Sequence, residues 1–158
     1  MEKKLRQIGE LKELVAAVHQ GHVLPLSFLG LLHWASHGAY AALVSPLGEA
    51  RGAGRGLVGV SLLLAIVVEV VMMRLAGRLQ ERFGARRLLL FVVAITLLRW
   101  LGLAATSGPL SFVAWQALHG VSFGLCYPTL VSLVAARVPE EARQGAQGLF
   151  SSLFFGAG

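Results

Sequence analysis

The stretch LVGVSLLLAIVVEVVMMRLAG, Leu57 to Gly77, decides the fold, and only Glu69 and Arg74 in it carry charge. A helix rises about 1.5 Å per residue, so about 20 mostly apolar residues cross a hydrocarbon core of roughly 30 Å. This run is long enough. A strand reading fails, because the run is too long and does not alternate. Lipid also requires every backbone polar group to be paired, which a lone helix achieves and a lone strand does not.

Working outward, similar runs occupy roughly Val23 to Leu47, Arg87 to Ala105 and Leu110 to Ala136, and a fifth starts near Gly145 and reaches Gly158. The whole chain of 158 residues is 56% hydrophobic and 14% charged, whereas a soluble domain carries about a quarter charged residues. The expected fold class is all-α: a polytopic membrane helix bundle with about four and a half spans. Short connections join them: Ser45 to Gly56, Gly77 to Leu88, Thr106 to Pro109, and a polar bend from Arg137 to Arg143 that holds Pro139. Loops this short make neighbouring helices antiparallel. Before the first span, Leu5, Ile8, Leu11, Val15 and Val18 recur at helical spacing among Lys3, Lys4, Arg6 and Lys12. That pattern describes an amphipathic helix on a membrane surface. Residues 1–22 are therefore expected as a cytoplasmic segment and 23–158 as the transmembrane region.

The net charge of +6 raises the question of nucleic acid. The basic residues, however, sit between apolar runs rather than on one face with aromatics, so no nucleic-acid partner is expected. Cys126 is the sole cysteine, which excludes an internal disulfide or a multi-cysteine zinc site. A cleavable signal is not expected either, since Glu2, Glu10 and Glu13 interrupt the N-terminal region and no apolar segment follows its lysines.

Positive residues stay in the cytoplasm during insertion. With the N-terminus inside, that side takes Lys3, Lys4, Arg6, Lys12, Arg74, Arg78, Arg82, Arg86, Arg87, Arg137 and Arg143, against only Arg51 and Arg55 outside. Arg99 remains within a helix. The expected location is the cytoplasmic (inner) membrane, multi-pass, with a cytoplasmic N-terminus.

Gly77-Arg78-Leu79-Gln80-Glu81-Arg82-Phe83-Gly84-Ala85-Arg86-Arg87-Leu88 resembles the cytoplasmic loop motif of the major facilitator superfamily. Gly77, Arg78, Leu79, Arg82, Phe83, Gly84, Arg86 and Arg87 fit that pattern; Gln80, Glu81 and Ala85 stand where a small residue, Asp and Arg are usual. The segments Leu32-His33-Trp34-Ala35-Ser36-His37-Gly38, Leu98-Arg99-Trp100, Leu118-His119-Gly120 and Gly145-Ala146-Gln147-Gly148-Leu149, with Gly156, resemble parts of the seventh, ninth, tenth and eleventh helices of phenylpropionate permease-like and nucleoside permease-like members. The resemblance covers about residues 23 to 158. It implies a secondary active transporter of a small organic solute, coupled to protons, of which this chain is a partial second half. The parent would have twelve helices, Met1 would lie in its central loop, and the missing half would be a partner beside the lipid bilayer.

Polar residues at membrane depth are the candidate substrate or proton pathway: Glu69, His33, His37, His119, Arg99, Tyr40 and Gln116. Glu69 shares a stripe with Ser61, Ala65, Met72 and Ala76, a small-residue face suited to a cavity. A carboxylate there must be paired, protonated or wet, and Arg99 in the next helix is its natural partner in this chain. His33 and His37 stand one turn apart with Gly30 and Tyr40, and His119 lies with Trp115, Ser122 and Cys126. Such histidines carry protons or bond a polar solute, or else tie helices together.

Competing motifs are weaker. Gly120-Val121-Ser122-Phe123-Gly124 has hydrolase spelling but lies within an apolar helix instead of a strand-to-helix turn. His33 and His37 lack the Glu of a His-Glu-x-x-His site. Arg51 to Gly56 is Gly-rich but lacks the Lys-Ser/Thr of a phosphate loop. No enzyme activity, catalytic residue, cofactor or metal is expected. The alternative function is a small membrane-embedded, partner-binding subunit without transport. The charge asymmetry predicts that, in a Cys126→Ser background, a membrane-impermeant thiol reagent added to intact cells labels a cysteine placed at residue 51 and spares one at residue 82; the reverse pattern sinks the orientation.

Overall fold

The computed structural model describes the backbone of residues 2–156 and the side chains of residues 11–156. Six helices follow in order: α1 (Glu2–Gln20), α2 (Val23–Ala50), α3 (Arg55–Phe83), α4 (Ala85–Ala105), α5 (Pro109–Ala135) and α6 (Glu140–Gly156). No strand occurs among the described residues, so the chain is an all-α membrane helix bundle. Helices α3, α4 and α5 are each long and apolar enough to cross a membrane, and α1 with α2 adds a fourth span if the 74° bend between them lies within one crossing. At that bend His22 adopts φ +51, a left-handed conformation that few residues with a side chain accept. In the expected N-terminal stripe, Leu5 and Ile8, with Lys3, Lys4 and Arg6, lie outside the described side chains. Leu11 and Val15 are exposed and Val18 is buried.

The connections are shorter than the sequence suggests. Residues 77–88, expected as a loop, are helical apart from Gly84. Arg78, Leu79, Gln80, Glu81 and Arg82 are strong helix formers, so α3 continues until glycine stops it. Gly84 takes φ 81 and its N–H bonds the Gln80 carbonyl at 2.8 Å; a side chain at that φ would be strained. Likewise α2 runs through Pro46 to Ala50, reducing the expected 45–56 loop to residues 51–54. One proline removes one internal hydrogen bond and does not oblige a helix to end. Helix α6 begins at Glu140 instead of near Gly145, with Glu140 and Glu141 in its first turn, where carboxylates suit the positive end of the helix dipole.

Two compact units divide the described residues: one up to Ser36 and from Leu130 on, the other His37–Thr129. In the first, Phe150 and Phe154 are wholly buried, and Trp34 packs on Phe154 and Phe155 with ring centroids 5.7 and 5.0 Å apart. Arg143 Nε donates to the Ala135 carbonyl at 3.2 Å, satisfying a helix-end acceptor.

The second unit is inverted relative to a soluble protein. Leu63 on α3 and Leu90 and Leu101 on α4 are 61%, 64% and 69% exposed, a disposition that suits lipid. The opposite face of α3 carries the expected small-residue stripe: Ser61, Ala65 and Ala76 are buried and Glu69 and Met72 half-buried. It meets α5 at Gly120 and Gly124. A Cβ on Gly120 would strike the Ala65 carbonyl, and one on Gly124 would lie 2.5 Å from the Glu69 carbonyl. Small residues let membrane helices approach this closely. Ser61 and Thr96 satisfy their hydroxyls within their own helices, donating to the Val58 and Val92 carbonyls. A core of Tyr40, Val44, Ala53, Val58, Leu103 and Phe112 completes the unit.

Gly120→Ala should gain up to about 1 kcal/mol of helix propensity but lose about 1–3 kcal/mol to overpacking against backbone that cannot move aside. The expected outcome is a lower unfolding midpoint in detergent. Gly59→Ala, with open space around it, should hold or raise the midpoint; equal behaviour of the two variants contradicts the close α3–α5 contact.

Candidate functional site

Three helices of the second unit bring their polar residues to Arg99. Counted from Ala85, Arg99 lies about 20 Å along α4, and it has no solvent exposure. A guanidinium is never deprotonated under ordinary conditions, so it must be solvated by protein. It lies over the rings of Tyr40 and Trp100, 4.9 Å from each centroid, contacts that stabilise a desolvated cation. Its Nη1 donates to His119 Nδ1 at 2.6 Å. Because guanidinium only donates, that bond requires an unprotonated Nδ1.

The remaining contacts extend the cluster. Tyr40 donates its hydroxyl to Gln116 Oε1 and stacks on His119 with centroids 4.2 Å apart. His37 packs on His119 at 4.5 Å and on Phe123 at 4.3 Å. Local sequence explains the convergence. Gln116, His119 and Phe123 stand at i, i+3 and i+7 on α5, and His37 and Tyr40 are one turn apart on α2, so each helix presents one face. Three donor atoms of this cluster have no partner among the described residues: Nε and Nη2 of Arg99, and Nε2 of the wholly buried Gln116.

Five of the seven sequence candidates thus meet: His37, Tyr40, Arg99, Gln116 and His119. His33 is buried in the other unit. Glu69 is half-buried on α3 with its backbone against Gly120 and Gly124. The expected Glu69–Arg99 pair does not form; histidine takes the guanidinium instead, because α5 sets its glycine backbone against Glu69 and turns the Gln116–His119 face to Arg99. Trp100 and Phe123 were not among the candidates. Their signal was present, since Trp100 adjoins Arg99 and Phe123 follows His119 by one turn. No three His, Cys, Asp or Glu side chains form a metal-binding group among the described residues.

An apolar bundle that exposes its aliphatic faces and gathers arginine, histidine, tyrosine and glutamine within defines a multi-pass α-helical membrane protein. The sequence matches the MFS_1 like family over residues 2–158, and the chain belongs to that major facilitator family. It is similar to the maltose permease of Geobacillus stearothermophilus, 37% identical over 102 residues, or 64% of this chain and 26% of that protein. It is also similar to the probable 3-phenylpropionic acid transporter of Escherichia coli K12, 28% identical over 121 residues, or 77% of this chain and 32% of that protein. An uncharacterised MFS-type transporter of Mycobacterium tuberculosis is 30% identical over 88 residues, 56% of this chain and 15% of that protein. The chain therefore spans a third or less of each of these relatives. No solved structure matches it significantly.

Tyr40→Phe removes the donor to Gln116 and leaves a buried amide oxygen unsatisfied, at a cost of about 1–3 kcal/mol. The unfolding midpoint in detergent should fall. Adding Gln116→Leu should restore most of the loss, since both partners are then apolar; strictly additive losses in the double variant would show that the two side chains are not coupled.

Proposed function

We propose that this chain is part of a secondary active transporter that carries a small organic solute across the cytoplasmic membrane together with protons. The observation that carries the reading is Arg99, a wholly buried cation resting on a histidine and two aromatic rings within a lipid-facing bundle. Ionisable groups inside a membrane are expensive and mark substrate and ion pathways. Family membership supports the class, and two relatives are named for small solutes, maltose and 3-phenylpropionic acid. In this reading the rest of the cavity comes from residues outside this chain, because such transporters bind solute between structural repeats near the bilayer midplane.

The Arg99–His119 bond supports proton coupling. A proton on Nδ1 of His119 removes the acceptor and sets two cations against each other, so protonation would release Arg99 and bias the cluster toward another arrangement. Glu69, whose backbone lies beside that of Gly120, is the carboxylate that exchanges the proton. Residues 1–22 lie on the cytoplasmic surface and residues 23–158 in the membrane, with the N-terminus inside. The basic asymmetry supports this orientation, as do the exposed Leu11 and Val15 on α1.

The test uses the full-length gene product in proteoliposomes, assayed with labelled maltose and 3-phenylpropionate. A pH gradient should drive accumulation in the wild type, and Glu69→Gln should abolish it while solute exchange persists. Neutralising Arg99 as well should not rescue the variant. Normal gradient-driven accumulation by Glu69→Gln removes the coupling role, and accumulation indifferent to the gradient in the wild type removes proton coupling altogether.

A further inference from the structure

The Arg99 guanidinium is occupied on one side only. Nη1 is bonded to His119, and the ring faces of Tyr40 and Trp100 lie against the cation. Nε and Nη2 together form the side edge of the guanidinium fork, and both lack a hydrogen-bond partner among the described residues while the side chain has no solvent exposure. Two parallel N–H donors on that edge match the two oxygens of a carboxylate better than they match any single hydroxyl. A third buried donor without a partner, Gln116 Nε2, belongs to the same cluster through Tyr40. Buried donors left unmade are costly, most of all when charged, so the arrangement is poised for an acceptor that is not among the described residues. Glu69, the carboxylate on the neighbouring α3, forms no ion pair with Arg99.

We infer that the Nε–Nη2 edge of Arg99, with Gln116 Nε2, is the subsite for the carboxylate group of the transported solute, which makes that solute an organic acid carried as its anion. The inference rests on the transport reading and deepens it. The His119 bond orients the fork, and the aromatic rings around it keep water from competing for its donors. Since Arg99 is closed off from solvent, the carboxylate reaches it only when the helices around the cluster part, as alternating access requires. The same chemistry could come from a carboxylate side chain elsewhere in the protein, and the experiment separates the two sources.

The purified full-length gene product in detergent is titrated at neutral pH with acetate, succinate and benzoate, each paired with its neutral amide, by isothermal titration. Saturable binding of at least one carboxylate, at least about tenfold tighter than its amide, is expected, as only the carboxylate offers two charged acceptors to the fork. Arg99→Lys, which keeps the charge and loses the fork, should weaken it by about tenfold or more. Gln116→Glu, of nearly the same volume, should abolish it by supplying an internal carboxylate. In protein labelled with nitrogen-15 arginine, the Arg99 Nε–H resonance should move downfield only when the carboxylate is added. A resonance already downfield and unmoved by added carboxylate assigns the edge to a side chain of the protein and overturns the solute subsite. Binding unaltered in Arg99→Lys, or no binding by any of the three acids, also overturns it. Gradient-driven uptake of a neutral solute without carboxylate affinity would remove this inference and leave the transport reading standing. Arg99-dependent carboxylate binding without gradient-driven uptake would do the reverse.

Discussion

A guanidinium keeps its charge at any ordinary pH, so burying Arg99 inside a bundle that itself faces lipid obliges the surrounding helices to solvate it. Water cannot do so, and Glu69 lies on another contact. Solvation falls instead to the His119 nitrogen and to the faces of Tyr40 and Trp100. Each of these sits on a different turn or helix, so the requirement reaches back through α2, α4 and α5 of the second unit. Tyr40 in turn needs an acceptor for its hydroxyl, which Gln116 provides. The polar cluster is therefore a chain of consequences from one buried cation.

That cluster can exist only if the helices are held in register, and the α3–α5 contact does this with backbone against backbone. Ala65 and Glu69 on α3 lie against Gly120 and Gly124 on α5. The glycines immediately flank the stretch from Val121 to Phe123, so the contact that fixes the rotation of α5 also turns His119 and Phe123 toward Tyr40 and His37. A serine-hydrolase spelling in that segment is a by-product of this packing, with Ser122 spending its hydroxyl on the His119 carbonyl.

The motif between α3 and α4 shows how a local residue decides a connection. Its arginines and leucines are compatible with helix, and only the positive φ of Gly84 ends it. A motif that resembles a loop in sequence is thus nearly all helix in structure. The conformational demand is concentrated in one position where a side chain would be strained.

The sequence by itself determined the class: uninterrupted apolar runs such as Leu57 to Gly77, the small-residue stripe from Ser61 to Ala76, and the sorting of arginines between runs. These are properties of single helices, and lipid enforces them segment by segment. It also marked most of the cluster, because polar side chains at membrane depth are rare enough to stand out. Partner choice was not legible. Pairing Glu69 with Arg99 follows from charge alone, whereas the observed pairing depends on which face α5 turns toward α4. That rotation is decided where two glycines meet the backbone of α3, a contact between distant residues that no spacing within either helix encodes.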